Sequence, residues 1–313
     1  MTPRKIIIDT DPGQDDAIAI LLALASPELE VLGITAVAGN VPLVLTQTNA
    51  RKICELAGRA DIAVFAGAER PLVRDLTTAE YVHGKSGLDG PDLPAPNMPL
   101  QSQHAVDFIV DTVRHAGSDG ITLCALGPLT NLALAFNRAP DILGNIAEIV
   151  CMGGGLFEGG NTTPAAEFNL YVDPHAADVV FRCGRPITLL PLDLTHSCLT
   201  TRARVAAIRA LGTKVGTAAA DLLEFFERFD EAKYGTDGGP LHDPNVIAWL
   251  LAPDLYRGRH INVEIETMSD LTLGMSVADW WGVTDRPANV HYLRYVDADG
   301  FYNLLTERLA RLP

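Results

Sequence analysis

The stretch from Ile6 to Asp16 constrains the fold of this chain most, because it joins an apolar strand to a cluster of acids. Isoleucines at positions 6–8 predict a strand that is buried on both faces of a parallel sheet. Pro12-Gly13 end that strand, and the apolar run 17–25 predicts a helix packed on the sheet. The acids therefore lie at the carboxyl end of a strand, where open α/β sheets bind ligands.

The acids of this stretch are Asp9, Asp11, Asp15 and Asp16, and their negative charges would repel one another. Asp15 and Asp16 fall in the first helical turn, near the positive end of the helix dipole. A hard divalent cation, which prefers oxygen ligands, would relieve the repulsion. The alternative is a helix N-cap accompanied by solvated acids, since Asp is common at N-caps.

The rest of the chain alternates between strand and helix patterns. Further buried strands are predicted at 31–37, 62–65, 121–125, 146–152 and 187–191. This alternation predicts right-handed crossovers and a largely parallel sheet. Antiparallel strands are predicted near the C-terminus, at 260–266, 272–277 and 289–296. We therefore expect a single domain, residues 1–313, with a Rossmann-like α/β fold: an open, mostly parallel mixed sheet with helices on both faces and a few antiparallel C-terminal strands.

Charge and cysteine content limit the partners and the compartment. The formal net charge is -15 and the pI is near 4.8, whereas a nucleic-acid binder normally shows a basic stripe. The five cysteines have no paired spacing, which indicates free thiols in a reducing compartment. No apolar run approaches the roughly 18 residues of a membrane span, and the first strand follows Met1 too closely for a secretory signal. We expect a soluble cytoplasmic protein that binds a small molecule, with no nucleic-acid or membrane partner.

Polar residues recur at the ends of the predicted strands. They are found at Asp11, Asp15, Asp16, Asn40, His83, the segment 152–169, and His242-Asp243. In a parallel sheet these ends converge on one edge, so one site is predicted there. His83 lies in the Gly- and Pro-rich stretch 67–100, whose length favours a mobile lid.

One motif resembles the signature of a known family. The nucleoside hydrolases, or inosine-uridine preferring nucleoside ribohydrolases, carry an N-terminal DxDPGxDD, which is matched at every fixed position by Asp9-Thr10-Asp11-Pro12-Gly13-Gln14-Asp15-Asp16. The resemblance covers nearly the whole chain, and the family's later motifs recur in order. It implies an enzyme that hydrolyses the N-glycosidic bond of ribonucleosides to free nucleobase and ribose, in nucleoside catabolism and in purine and pyrimidine salvage.

The resemblance also implies roles for individual residues. One Ca²⁺ per subunit would be bound by Asp11, Asp16, Asp243 and the backbone carbonyl of Leu126. The ribose would be held by Asp15, Asn40, Asn161, Glu167 and Asn169. The nucleobase would contact His83 and Tyr234, and His242 matches a histidine proposed as the general acid in one branch of the family. Met152 and Phe168 complete the substrate-binding set, with the hydrophobic core as their alternative.

The physical chemistry of the reaction agrees with these roles. Cleavage of an N-glycosidic bond passes through an oxocarbenium-like sugar cation, which nearby carboxylates stabilise. A water bound to the cation loses a proton more easily than bulk water, and Asp11 could take that proton. Two structural alternatives are kept: Asp243 as the cap of the following helix, and His83 as a surface loop residue. His196 is assigned a structural role.

Base preference and assembly are less constrained by the residues. The segments 83–87 and 161–167 look most like those of pyrimidine-preferring relatives, so uridine and cytidine are favoured over inosine. An acid at His242 would also serve purines, which can accept a proton at N7. The family implies a homo-oligomer, a dimer or a tetramer. Two other functions stay open: a non-catalytic calcium-dependent nucleoside or ribose binder, and a haloacid-dehalogenase-like phosphatase.

Overall fold

A computed structural model describes residues 2–234 and 238–313 of the chain; the side chains of residues 229–234 lie outside that description. The strands are β1 (Arg4–Thr10), β2 (Leu29–Ala36), β3 (Val64–Ala66), β4 (Ile121–Ala125), β5 (Ile146–Met152), β6 (Ile187–Leu190), β7 (Leu199–Thr200), β8 (Gly239–Pro240), β9 (Tyr256–Ile261), β10 (Val263–Ile265), β11 (Ser276–Ala278) and β12 (Val290–Val296). The helices are α1 (Gln14–Leu24), α2 (Leu43–Leu56), α3 (Glu80–His83), α4 (Ala105–Arg114), α5 (Thr130–Arg138), α6 (Phe168–Val172), α7 (Pro174–Phe181), α8 (Leu192–Thr195), α9 (Arg202–Arg209), α10 (Lys214–Tyr234), α11 (Pro244–Leu251) and α12 (Ala298–Leu309).

Across the described residues, the main sheet has eight strands in the order β3-β2-β1-β4-β5-β6-β12-β9. Every neighbouring pair is parallel except β12 and β9, which are antiparallel. The expected mostly parallel mixed sheet is therefore confirmed. β1 is the third strand in this order, and later strands of the chain are added on both sides of it.

Two apolar clusters cover the two faces of the sheet, and β1 contributes to both. Ile6 and Ile8 belong to the cluster that includes α1, α2, α10, α11 and α12, whereas Ile7 belongs to the one with α4, α5 and α7. All three isoleucines are at most 1% exposed. This confirms that the strand is buried on both faces, with helices on each side of it.

The predicted antiparallel C-terminal strands are confirmed by two pairs, β9 with β12 and β10 with β11, but their bounds and one further pairing differ from the prediction. The predicted strand at 289–296 returns to the main sheet as β12 and pairs in parallel with β6, and only β9 is antiparallel to it. The predicted strand at 272–277 begins only at Ser276, because residues before it form turns in which Gly274 has φ +81°. Alternation predicts that a strand exists, but the choice of its partner depends on contacts far along the chain.

Two further findings concern the long stretch 67–100 and the length of the helices. The stretch 67–100 is irregular apart from the short helix α3. Within the described residues, no helix is both long enough and apolar enough to cross a membrane. The cytoplasmic location stays a prediction.

Candidate active site

A cleft of about 80 Å³ lies at the carboxyl ends of the central parallel strands. Its wall is formed by Asp15, Asn40, Ala79, Tyr81, Val82, His83, Leu126, Met152, Asn161, Thr162, Glu167, Phe168, Asn169, Phe226, His242 and Asp243. The structure thus brings together nearly all the side chains that sequence analysis assigned to the site. Of the rest, Asp11 and Asp16 are buried beside the cleft, and the side chain of Tyr234 lies outside the described residues. The placement of Met152 and Phe168 in the wall favours their assigned contact with substrate, although both are also buried.

Asp11, directly after β1, is completely buried. Its Oδ2 accepts a 2.7 Å hydrogen bond from the backbone N–H of Asn40, whereas its Oδ1 has no hydrogen-bond partner among the described residues. Gly39 and Gly127 flank the carboxylate so closely that a Cβ on either would lie 2.0 or 2.2 Å from one of its oxygens. The two glycines therefore allow the neighbouring loops to enclose this side chain.

Three further carboxylates form a compact group at the start of α1 and of α11. One oxygen from each of Asp15, Asp16 and Asp243 lies within 4.8 Å of the others. Asp16 accepts hydrogen bonds from the Thr10 hydroxyl at 2.5 Å and from the Gly13 backbone N–H at 2.9 Å. Asp16 therefore helps to cap α1, but neither it nor its neighbours are solvated. Asp243 makes no side-chain capping bond to α11, so its capping alternative does not hold.

Burial and mutual repulsion raise the pKa values of the carboxylates in the cluster. Burial, followed by the charge of Asp16, raises the pKa of Asp11 well above its usual value and that of Asp15 to about 8. Burial also raises the pKa of Asp16, and burial together with Asp15, Asp16 and Asp11 raises that of Asp243. In the part of the chain that the structure describes, no ion pair involves any of these acids. An all-oxygen donor set with uncompensated negative charge fits a hard divalent cation.

A second polar group forms the wall between β5 and α6. The carboxylate of Glu167 accepts hydrogen bonds from the backbone N–H groups of Asn169 at 2.8 Å and Gly154 at 3.0 Å, while burial raises its pKa to about 7. The Asn169 side-chain amide donates to the Leu126 carbonyl at 2.7 Å. Asn161 accepts from the backbone N–H of Phe168 at 2.9 Å. These bonds hold an acid and two amides in fixed orientations, as recognition of sugar hydroxyls requires.

Two histidines lie on the remaining side of the cleft. His83 is buried rather than on the surface, its Nδ1 lies 2.7 Å from Gln14 Oε1, and burial lowers its pKa to about 3. It is therefore neutral at physiological pH. His242 places its Nδ1 2.8 Å from the Thr195 hydroxyl, and the ring of Phe226 packs between the two histidines, stacked on His83 and edge-on to His242.

Several residues of this site are not indicated by the sequence. Tyr81 lies in α3 and Thr162 in the loop after β5, yet their side chains are hydrogen-bonded to each other at the cleft wall. Phe226 belongs to the apolar pattern of α10, and nothing in the sequence marks Thr195. His196, which we assigned a structural role, has its ring centre 5.9 Å from that of His242. Nothing local in the sequence distinguishes these residues from ordinary core or loop positions.

Comparisons with known proteins point to one family. The model of the inosine-uridine preferring nucleoside hydrolases matches residues 6–303. An uncharacterized protein of Schizosaccharomyces pombe is 56% identical over 99% of this chain and 100% of its own length. The pyrimidine-specific ribonucleoside hydrolase RihA of Photobacterium profundum is 47% identical over 98% of this chain and 99% of its own length. A solved structure, the purine-preferring ribonucleoside hydrolase from Gardnerella vaginalis, is 34% identical with a TM-score of 0.91, covering 98% of each chain.

Proposed function

The chain belongs to the inosine-uridine preferring nucleoside hydrolases and is a ribonucleoside N-ribohydrolase, and from that premise we propose that it prefers uridine and cytidine and uses Asp11 as its base beside a bound Ca²⁺. The buried carboxylate cluster at the cleft carries this proposal. Family membership decides against the phosphatase and the non-catalytic binder that the sequence had left open.

Asp11 is the group that we assign to proton abstraction. Its Oδ2 is held by the Asn40 backbone, and its Oδ1 has no hydrogen-bond partner in the described structure. A buried carboxylate oxygen of this kind is suited to accept a proton from an attacking water. The surrounding negative charge also favours the oxocarbenium-like cation that forms as the N-glycosidic bond breaks.

A calcium ion would be held by the carboxylates of Asp11, Asp16 and Asp243 and by the Leu126 carbonyl. The residues fit this ion, because the donors are all oxygens and the buried acids have no ion-pair partner among the described side chains. Bound calcium would compensate the buried charge and lower the pKa of a coordinated water. Asp15, which shares the oxygen cluster and lines the cleft, is proposed to accept hydrogen bonds from the ribose hydroxyls.

The other sugar contacts are proposed for Asn40, Asn161, Glu167 and Asn169. All of them line the cleft. The backbone hydrogen bonds to Glu167 leave little freedom for its carboxylate to rotate, so the ribose would meet an oriented acceptor.

The part of the cleft proposed to bind the nucleobase combines a proton donor with neutral and apolar side chains. His242 is proposed as the general acid that protonates the leaving nucleobase. Because His83 is held neutral by burial, its proposed role is hydrogen bonding to the base and not proton donation. Met152 and Phe168 would supply apolar contacts. A base contact for Tyr234 remains part of the proposal.

The preference for pyrimidines is supported by the identities of the relatives. The relative whose name specifies pyrimidines is 47% identical, whereas the solved structure whose title specifies purines is 34% identical. We further propose that residues 1–313 form one catalytic domain, that the enzyme is a homo-oligomer with one Ca²⁺ per subunit, and that it acts in nucleoside catabolism and salvage.

The test measures ribose release from uridine, cytidine, inosine and adenosine. The wild type should show the highest kcat/KM with uridine or cytidine; a higher value for inosine would refute the preference. Asp11→Asn should lower kcat by at least about 100-fold, as expected when a general base is lost. Asp9→Asn is the matched control: Asp9 is also buried and lies on β1, but it is bonded to Thr35 and Asn131 and does not line the cleft. Comparable rates in the two variants would exclude Asp11 as the base.

A further inference from the structure

The short helix α8 connects two parts of the site. Asp193 accepts hydrogen bonds from the backbone N–H groups of residues 156–158, at 2.9, 2.7 and 2.7 Å, and from the hydroxyl of Tyr292. Residues 156–158 begin the loop that carries Asn161 and Glu167. The helix is thereby fixed both to this loop and to β12.

Thr195, the last residue of α8, is completely buried. Its backbone N–H donates to the Pro191 carbonyl at 3.0 Å, and its hydroxyl lies 2.8 Å from His242 Nδ1. Position 195 is 47 residues from His242 along the chain. The hydroxyl is therefore placed by the strand-to-helix turn after β6, independently of the segment that carries the histidine.

We propose that Thr195 is a positioning residue for His242: its hydroxyl oxygen accepts a hydrogen bond from Nδ1–H, which selects that tautomer and directs Nε2 to the leaving nucleobase. This inference rests on the acid role of His242 in the proposed function. It assigns no direct contact between Thr195 and the substrate.

The proton transfers of the reaction explain why His242 needs a hydrogen-bond partner at Nδ1. The imidazolium ring carries hydrogens on both nitrogens, and the neutral ring carries one. When the N-glycosidic bond breaks, its electron pair leaves with the base, and the proton on Nε2 moves to that base. Water adds to the sugar and gives its proton to Asp11. Asp11 then releases that proton to solvent, and solvent returns one to Nε2. Nδ1 keeps its hydrogen throughout, and that hydrogen stays hydrogen-bonded to the Thr195 hydroxyl. The ring therefore keeps one orientation in both protonation states.

The experiment compares two ribosides that differ in their need for an acid. Uridine needs protonation of its leaving base, whereas 4-nitrophenyl β-D-riboside releases a stable phenolate without it. The variants are Thr195→Val, which keeps the shape but removes the hydroxyl, Thr195→Ser, which keeps the hydroxyl, and His242→Ala. Thr122→Val is the matched control, because Thr122 is also a buried threonine but its hydroxyl has no hydrogen-bond partner among the described residues.

Thr195→Val should lower kcat for uridine by about 10- to 100-fold, part of the contribution of a general acid, with KM nearly unchanged. Its kcat for the nitrophenyl riboside should stay within about twofold, and Thr195→Ser should restore most of the uridine activity. Thr122→Val should resemble the wild type with both substrates.

The outcomes separate this inference from the proposed function. If Thr195→Val slows both ribosides equally, the residue supports the fold; if serine fails to restore uridine hydrolysis, the hydroxyl is not the determinant. Either result refutes the positioning role. If His242→Ala slows uridine but Thr195→Val does not, only the role of Thr195 is overturned. If His242→Ala leaves kcat unchanged for uridine, the acid role of the proposed function fails, and the role of Thr195 fails with it.

Discussion

Replacing Asp243 by asparagine should stabilise the calcium-free protein, although it removes a proposed metal ligand. Asp243 is 3% exposed, and burial and the charges of Asp15, Asp16 and Asp11 raise its pKa well above the usual 3.8. Without a cation, the folded protein therefore keeps this carboxyl protonated, in a hydrogen bond with Asp16. An asparagine amide can donate the same bond without having to retain a proton.

The size of the effect follows from proton linkage. In the unfolded chain Asp243 titrates near 3.8, so below that pH both states are protonated and the two proteins should have similar free energies of unfolding. Above it, only the folded wild type retains the proton, and its stability falls relative to Asp243→Asn by about 1.4 kcal/mol per pH unit. The difference should grow with pH until the pH passes the raised pKa of the folded state.

With calcium bound, the wild type should be more stable than Asp243→Asn. The wild type has the full set of charged ligands, and an ion that binds only the folded state at about 1,000 times its Kd stabilises it by about 4 kcal/mol. The asparagine variant lacks one charged ligand, so it should bind calcium more weakly and gain less.

Urea unfolding at pH 4, 5, 6 and 7, with a chelator and with excess Ca²⁺, measures both effects. Asp254→Asn, a change at an exposed acid, is the control. It should leave the free energy of unfolding unchanged both with the chelator and with Ca²⁺. The electrostatic reasoning would be refuted if Asp243→Asn without calcium were no more stable than the wild type at pH 6. If calcium stabilised both proteins equally, Asp243 would not be a ligand.

Two further predictions concern entry to the cleft and assembly. The cleft volume of about 80 Å³ is smaller than the roughly 300 Å³ or more of most ligand pockets, so we expect the cleft to open for a nucleoside and close again, with the Tyr81–Thr162 hydrogen bond holding the closed form. Tyr81→Phe should raise KM for uridine about fivefold, the equivalent of about 1 kcal/mol for one hydrogen bond, and an unchanged KM would contradict this role of the hydrogen bond. Light scattering should give a mass that is a multiple of 33.6 kDa, and a value of 33.6 kDa itself would contradict the proposed oligomer.

Features encoded in short segments could be predicted from the sequence. Consecutive isoleucines predicted a strand buried on both faces, and Ile6, Ile7 and Ile8 do pack into the two opposite cores. The acids after that strand were predicted to lie at the sheet edge, because a strand that ends in a turn fixes where the next residues point. The same rule brought Asn40, Leu126 and Asn169 to the cleft.

Features that depend on distant contacts were decided only by the tertiary structure. Alternation identified β12 as a strand, but its parallel pairing with β6 arises because the chain crosses back over the sheet. The hydrogen bond between Thr195 and His242 joins positions 47 residues apart, and neither residue has a local pattern that identifies its partner. The pKa of His83 falls to about 3 through burial, which depends on every element packed around the ring. Local periodicity determines which segments form and which way they face, whereas pairing, burial and electrostatics depend on the whole fold.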